Sequence, residues 1–200
     1  NRERRAEGRL PANAILLRDG GHFLPTYQPI SERFGLSFGA VAEMPVELGV
    51  ARLLGMEVEE VPPPSGSFEE DAPSRLEAVL RLAERCDAVY VHLKGPDIPG
   101  HDGSYSGKVS SIEEIDEHFV RPLLREAAGW PVLATSDHAT PWRLRAHSDD
   151  PVPVALSAPG VEPDPCSGFW ESECSKGSLG VVEHGWELLP RVLPMLGEGI

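Results

Sequence analysis

Residues 73–93, PSRLEAVLRLAERCDAVYVHL, run from an amphipathic helix straight into a short apolar strand, and this stretch decides the fold class. The apolar positions of the helix recur at three- and four-residue spacing: Leu76, Val79, Leu80 and Ala83. The segment 88–93, AVYVHL, has the nearly continuous hydrophobicity of a strand buried in a parallel sheet. The stretch therefore predicts a helix over 73–85 that packs onto a sheet.

The alternation of strand and helix continues on both sides of this stretch. Apolar runs predict further strands over 14–18, 38–43, 56–61, 131–135 and 152–157. Helical patterns predict helices over 45–54, 109–128 and 186–196. Proline and glycine predict loops over 62–67 and 94–107. This order predicts an α/β fold with a largely parallel sheet flanked by helices.

Composition and charge exclude several classes of partner. The 200 residues are 40% hydrophobic, and 32 acidic against 18 basic side chains give a net charge of −14. Because such a field repels polyanions, we expect neither nucleic acid nor an anionic membrane as a partner. The sequence contains no apolar run of about 18 residues, and its charged beginning is unlike a signal peptide. A cytoplasmic protein is therefore expected.

The cysteines fit a reducing compartment. Cys86, Cys166 and Cys174 are odd in number, and no two of them form a CxxC motif. This pattern predicts ordinary reduced thiols. The Cys166 and Cys174 pair leaves a metal site or a disulfide open as the alternative.

Polar segments that combine aspartate with histidine follow two of the predicted strands. Their candidate metal ligands are, in chain order, Asp97 and His101, then Asp137 and His138, then His147. Because ligands bind at the carboxyl ends of parallel strands, we expect these side chains to lie at one edge of the sheet. Carboxylate and neutral imidazole suit Mn²⁺, Zn²⁺ or Co²⁺ better than Ca²⁺. The segments together predict a divalent metal site.

Each fragment taken singly allows a second interpretation. An Asp-His pair after a strand also caps turns in proteins that bind no metal. Asp97 and His101 are separated by Pro99 and Gly100, so we expect a turn, rather than one helix face, to bring them together.

The three segments in order, PDIPGHDG at 96–103, SDHATP at 136–141 and HSDDPVP at 147–153, resemble the archaeal type of cofactor-independent phosphoglycerate mutase, a family of the alkaline phosphatase superfamily. Further segments also match that family, namely AEMP at 42–45, GVARLLGM at 49–56 and CSKGSLG at 174–180. The resemblance runs from about residue 13 to the end. It implies the C-terminal part of an alkaline-phosphatase-like core over 26–200, with 1–25 as the tail end of a preceding or inserted domain.

The resemblance implies a phosphoryl-transfer site with two divalent ions, Mn²⁺ first and Zn²⁺, Co²⁺ or Mg²⁺ as alternatives. Asp97, His101 and His147 would hold one ion, and Asp137 and His138 would contribute to the other. The family also uses a further aspartate and a nucleophilic serine, which becomes a phosphoserine. Neither has a matching position in this sequence. Asp19, which stands where the family pattern has glycine, is the one alternative for that aspartate.

The implied reaction is the interconversion of 2- and 3-phosphoglycerate in an intact enzyme, with a small phosphorylated glycerate as substrate. Lys94, Lys176 and Arg18 are the candidate substrate-binding residues. Asp102 is a candidate partner for His101, whereas His92 is interpreted as a structural histidine of its strand. Family members are about twice as long as this chain, so an N-terminal half or a second copy is an expected partner.

Two other functions remain open at this point. The first is a phosphatase or another phosphotransferase of the same superfamily, because the metal motifs are shared across it. The second is a metal-binding fragment that is inactive on its own.

Overall fold

A three-stranded parallel sheet lies at the centre of the fold, in a computed structural model that describes residues 1–17 and 26–197. Strand β1, Phe38–Val41, lies between β2, Glu57–Val58, and β3, Ala88–Val91. All four residues of β1 are buried, and they pair in parallel with all four of β3. The strands predicted over 38–43, 56–61 and 88–93 are all present, but β2 is much shorter than the predicted 56–61.

Helices cover this sheet as the sequence predicts. Helix α3, Pro45–Leu53, begins at a proline and follows β1, and helix α4, Phe68–Ala83, precedes β3. Helix α4 starts five residues before the predicted 73, because Ser67 caps it by accepting a hydrogen bond from the backbone N–H of Glu70. The buried core lies between α4 and β1, and it comprises Val41, Ala72, Ala78, Val79, Leu82 and Phe119.

The segment predicted as a loop over 94–107 is helical, so that prediction is wrong. It forms α5, Asp97–Asp102, and the beginning of α6, Tyr105–Ile115. Local capping explains the difference: Gly103 ends α5 in the left-handed region at φ 73°, and Ser104 caps α6 by accepting from the Gly107 N–H. The predicted helix over 109–128 is confirmed as the continuous series α6, a π-helical turn over Asp116–Val120, and α7, Arg121–Glu126.

A second, two-stranded sheet completes the part that positions the site. Strands β4, Val132–Thr135, and β5, Val154–Ser157, pair in an antiparallel manner. Within the long connection between β4 and β5, Ala139 and Ser148 form an isolated antiparallel β-bridge. The predicted α/β class with a parallel sheet flanked by helices is confirmed, with β4 and β5 as an antiparallel addition.

The two ends of the chain depart from the prediction. The apolar run at 14–17 forms no strand among the described residues, and Ile15, Leu16 and Leu17 are 86–89% exposed. The predicted helix at 186–196 is divided into a 3-10 turn, Gly185–Glu187, helix α9, Leu188–Val192, and a second 3-10 turn, Leu193–Leu196. Three further helices are short: α1, Arg2–Ala6; α2, Ile30–Phe34; and α8, Glu171–Cys174.

The proposed boundary between residues 25 and 26 stays a prediction, because residues 18–25 lie outside the described part of the chain. In the described ranges, no helix has both the length and the hydrophobicity needed to cross a membrane.

Candidate metal centre

Helix α5 presents Asp97 and His101 on one face, one turn apart. Their Oδ1 and Nε2 atoms are 3.4 Å apart. The predicted non-helical turn is therefore wrong, although the side chains do converge. Gly100 is buried and packs against Thr140, where a Cβ at position 100 would lie 2.7 Å from the carbonyl oxygen of Thr140. This close contact holds α5 against the connection between β4 and β5.

His147 closes a triangle of donor atoms with these two residues. Its Nε2 lies 3.1 Å from Nε2 of His101 and 3.6 Å from Oδ1 of Asp97. Ligands that surround an ion tetrahedrally with bonds of about 2.0–2.1 Å are about 3.4 Å from one another. The three donor atoms therefore have the spacing that a single divalent ion requires.

The proton on His101 is placed by a backbone carbonyl. Nδ1 of His101 is 3.2 Å from the carbonyl oxygen of Arg145, so the ring donates through Nδ1 and keeps the Nε2 lone pair free. Arg145 has φ 53°, a left-handed conformation that no other described non-glycine residue adopts. This strained backbone turns the carbonyl toward His101.

Asp137 and His138 form a second donor pair beside the triangle. Oδ2 of Asp137 lies 3.4 Å from Nε2 of His138. His138 also joins Asp97 and His147 in a group whose donor atoms lie within 4.8 Å of one another. The structure thus brings all five predicted ligands together, as two adjacent sets. Their assignment as metal ligands stays a prediction.

Thr140 links the two sets through one hydroxyl group. Its side chain is 3% exposed, and Oγ1 lies 2.8 Å from Oδ1 of Asp97 and 3.1 Å from Nδ1 of His138. Since the hydroxyl has a single hydrogen, which it donates to the carboxylate, it accepts the N–H of His138. Nε2 of His138 then keeps its lone pair on the side of Asp137.

The environment of Asp97 favours its charged form. Partial burial is the largest single influence and by itself raises the pKa of Asp97. The hydrogen bond from Thr140, together with the electrostatic influence of the His101 ring and the Lys94 ammonium group, outweighs burial, so the pKa lies below its ordinary value. Nζ of Lys94 is 3.7 Å from Oδ2 of Asp97. An ionised carboxylate is the form that binds a cation.

The other predicted residues have different surroundings. Lys176 pairs with Glu173, and Arg18 lies outside the described residues, as does Asp19. Asp102 is exposed, and the carbonyl of Arg145, rather than Asp102, contacts Nδ1 of His101. All three cysteines are free thiols, and burial raises the pKa of Cys86 and Cys166 above the ordinary value.

Three contributions to this centre were not predicted from the sequence: the hydroxyl of Thr140, the carbonyl of Arg145, and the position of His92 beside Asp137, at 3.8 Å between Nε2 and Oδ2. Only Thr140 belongs to a motif that the sequence showed, and nothing in that motif distinguished it. The other two depend on contacts between distant parts of the chain.

Thr140→Val is expected to weaken Mn²⁺ binding about tenfold to a hundredfold, the usual effect of removing a group that orients metal ligands. Valine keeps the shape of threonine but neither donates to Asp97 nor accepts from His138. Isothermal titration with Mn²⁺ measures the effect. Thr135→Val is the matched control, because Thr135 donates to the Pro153 carbonyl at 3.1 Å in β4. Equal affinities for the two variants would contradict the assigned role of Thr140.

The parallel sheet, its covering helices and the carboxylate–imidazole cluster beyond the strand ends define a metal-binding α/β protein. The chain belongs to the Metalloenzyme superfamily, whose family model matches residues 3–185.

More particularly, the chain is similar to archaeal phosphoglycerate mutases. It is 42% identical over 202 residues to the 2,3-bisphosphoglycerate-independent phosphoglycerate mutase of Aeropyrum pernix, and 39% identical over 197 residues to that of Pyrobaculum neutrophilum. Each match covers 98% of this chain and 47% of the relative. The chain therefore spans about half the length of the curated relatives it matches, and the family resemblance inferred from the motifs is confirmed.

Solved structures agree with these relatives. A protein from Pyrococcus horikoshii matches with a TM-score of 0.81 at 28% identity, over 98% of this chain and 51% of its own. The cofactor-independent phosphoglycerate mutase from Thermoplasma acidophilum matches with a TM-score of 0.65 at 26% identity, over 98% of this chain and 46% of its own.

Proposed function

We propose that this chain supplies the metal-binding half of a phosphoglycerate mutase that interconverts 2- and 3-phosphoglycerate without added 2,3-bisphosphoglycerate. One observation carries the proposal: two adjacent donor sets, with 3.1–3.6 Å between the donor atoms of the first, occur in a chain 42% identical to a mutase of that name. A phosphorylated glycerate is the proposed substrate, and cytoplasmic glycolysis is the proposed setting.

Asp97, His101 and His147 are proposed to hold the first ion, and Asp137 and His138 to contribute to the second. Mn²⁺ is the proposed metal at both positions, ahead of Zn²⁺, Co²⁺ and Mg²⁺, as the resemblance to the family implies; the mixed imidazole and carboxylate donors suit all of the first three. Two adjacent cations lower the pKa of an attacking hydroxyl and neutralise charge on the phosphoryl group. The carboxylates of Asp97 and Asp137 would balance part of the charge of the bound cations.

The chain's own residues prepare this centre before any substrate arrives. The Arg145 carbonyl and the Thr140 hydroxyl hold protons on Nδ1 of His101 and His138, which leaves both Nε2 atoms free. The Lys94 side chain is one-third exposed beside Asp97, so its ammonium group is the first candidate to bind the substrate's phosphate or carboxylate. Lys176 and Arg18 remain weaker candidates.

The rest of the relatives' length is the proposed source of the missing groups. The serine that takes the phosphoryl group and a further aspartate for the second ion have no counterpart among the matched motifs. A partner segment or a longer chain would supply them.

A superfamily phosphatase is the second candidate function, because the family model that the chain matches is that of a whole superfamily of metalloenzymes. Water as the final phosphoryl acceptor gives hydrolysis, whereas a glycerate hydroxyl gives the mutase reaction.

The test is the conversion of 3- to 2-phosphoglycerate, coupled to enolase, by the protein as its source produces it, with Mn²⁺ and without 2,3-bisphosphoglycerate. Turnover that disappears with a chelator and returns with Mn²⁺ supports the mutase. Release of inorganic phosphate without 2-phosphoglycerate supports the phosphatase. Bound Mn²⁺ with neither product identifies a metal-binding fragment and overturns both enzymatic proposals.

A further inference from the structure

His92 lies between two carboxylates at the edge of the candidate metal centre. It directly follows β3, and its backbone N–H donates to the Val41 carbonyl at 2.9 Å. Nδ1 of its ring is 3.7 Å from Oε1 of Glu47, and Nε2 is 3.8 Å from Oδ2 of Asp137. The ring is thus aligned between a helix residue on one side and a predicted metal ligand on the other.

The side chains of His92 and Glu47 do not use all of their hydrogen-bonding atoms. Nδ1 of His92 and Oε2 of Glu47 are both buried, and neither has a hydrogen-bond partner within residues 1–17 and 26–197. Burying such atoms without partners costs free energy, so their retention needs a reason. A small closing of the 3.7 Å gap would let Nδ1–H donate to the Glu47 carboxylate.

Nε2 of His92 then faces the Asp137 carboxylate, and this nitrogen carries a lone pair and no proton. A neutral imidazole has one N–H, and if Glu47 receives it, Nε2 and the Asp137 oxygens are all acceptors. Two acceptors that face each other repel unless a cation lies between them. Asp137 Oδ2 also lies 3.4 Å from Nε2 of His138, so this one oxygen faces both imidazole rings.

We propose that His92 is a further ligand of the second metal position, bound through Nε2, with Glu47 as the carboxylate that orients its ring. This inference rests on the proposed function, because it assumes that Asp137 and His138 bind an ion. A carboxylate that holds the distal N–H of a metal-bound histidine is a recurring arrangement in metalloproteins. Asp137 supplies the oxygen shared by His92 and His138.

The topology explains why three separate elements meet at this point. Glu47 lies in the first turn of α3, which follows β1, while His92 follows β3 and Asp137 follows β4. The carboxyl ends of β1 and β3 are adjacent because these strands pair in parallel. His92 is therefore assigned a binding role in place of the structural role that its strand position suggested.

The test follows the histidine ring nitrogens by ¹⁵N NMR of the unmutated chain during titration with Zn²⁺, a diamagnetic probe. We expect Nε2 of His101 and His147 to become metal-bound first, followed by Nε2 of His92 and His138 in a weaker second step. Nδ1 of His92 should stay protonated throughout. A proton that stays on Nε2 of His92 would overturn the inference, because that nitrogen could then only position Asp137.

His92→Asn provides a second measurement, with His184→Asn as control because His184 is exposed and stacks on Trp186. The second Zn²⁺ step should weaken at least about tenfold in His92→Asn, and the first step should be unchanged. An unchanged second step overturns the inference and leaves the proposed function intact. If no histidine nitrogen of the unmutated chain binds Zn²⁺, the proposed function itself fails.

Discussion

His101→Ala should lower the affinity of the first metal position for Mn²⁺ by about a hundredfold or more. Removing a group that only orients a ligand costs about tenfold to a hundredfold, so removing a ligand itself should reach or exceed the upper value. His101 contributes one corner of the donor triangle, and its Nε2 is 3.1 Å and 3.4 Å from the other two donor atoms. In His101→Ala, only Asp97 and His147 of the three donors remain to hold the ion.

The loss can be measured by Mn²⁺ electron paramagnetic resonance, which counts free ion against total ion. A thermal melt gives a second readout, since Mn²⁺ at a hundred times its Kd stabilises the folded protein by about 2.7 kcal/mol. At that concentration the unmutated chain should melt higher with Mn²⁺ than without it, and His101→Ala should show little difference. His184→Ala is the control. Equal Mn²⁺ stoichiometry in the two variants would remove His101 from the site.

The sequence was most informative where one local pattern determines an element. Pro45 begins α3 because its fixed φ suits a first helical turn, and the short apolar run 88–91 forms β3 beside β1. It was least informative where a cap overrides composition. Gly103 and Ser104 look like loop residues in sequence, yet they end one helix and begin the next.

The apolar run at 14–17 shows a second limit of sequence reasoning. Hydrophobicity predicts that Ile15 and Leu17 prefer burial, but it does not provide a neighbouring strand. A strand forms only when a partner offers backbone hydrogen bonds, and the described residues offer none here. The apolar run is present in the sequence, but the strand predicted from it does not form at residues 14–17.

The five predicted ligands could be chosen from sequence because aspartate and histidine follow strand ends in recognisable motifs. Their supporting groups could not be chosen in this way. The hydroxyl of Thr140 is 43 residues from Asp97, and the carbonyl of Arg145 is 44 residues from His101. A backbone carbonyl also has no side-chain signature. Such groups become visible only when the fold brings the distant segments together.

The largest expected loss of stability comes from Arg75→Met, which should lower the free energy of unfolding by about 3–5 kcal/mol. Arg75 is 0% exposed, and its Nε donates to Glu43 Oε1 at 2.5 Å. The guanidinium also donates to the carbonyl of Asp71 at 2.9 Å. Methionine fills a similar volume, but it leaves the carboxylate of Glu43 buried without its cation.

The ion pair of Arg75 and Glu43 also affects the position of Glu47 and His92, outside the core. Glu43 lies in the turn between β1 and α3, so the ion pair fastens the start of α3 to helix α4. Glu47 lies in the first turn of α3. A loosened turn would move Glu47 relative to His92, and the 3.7 Å contact between them would be among the first to change.

Urea denaturation of three variants separates the causes of this instability. Arg52→Met is the matched control, because Arg52 pairs with Glu60 at the surface, where both side chains are more than half exposed, and its loss should cost about 1 kcal/mol or less. The double variant Arg75→Met with Glu43→Leu should recover much of the loss, since replacing both partners removes the unpaired charge. If Arg75→Met costs no more than Arg52→Met, the buried pair does not stabilise this turn.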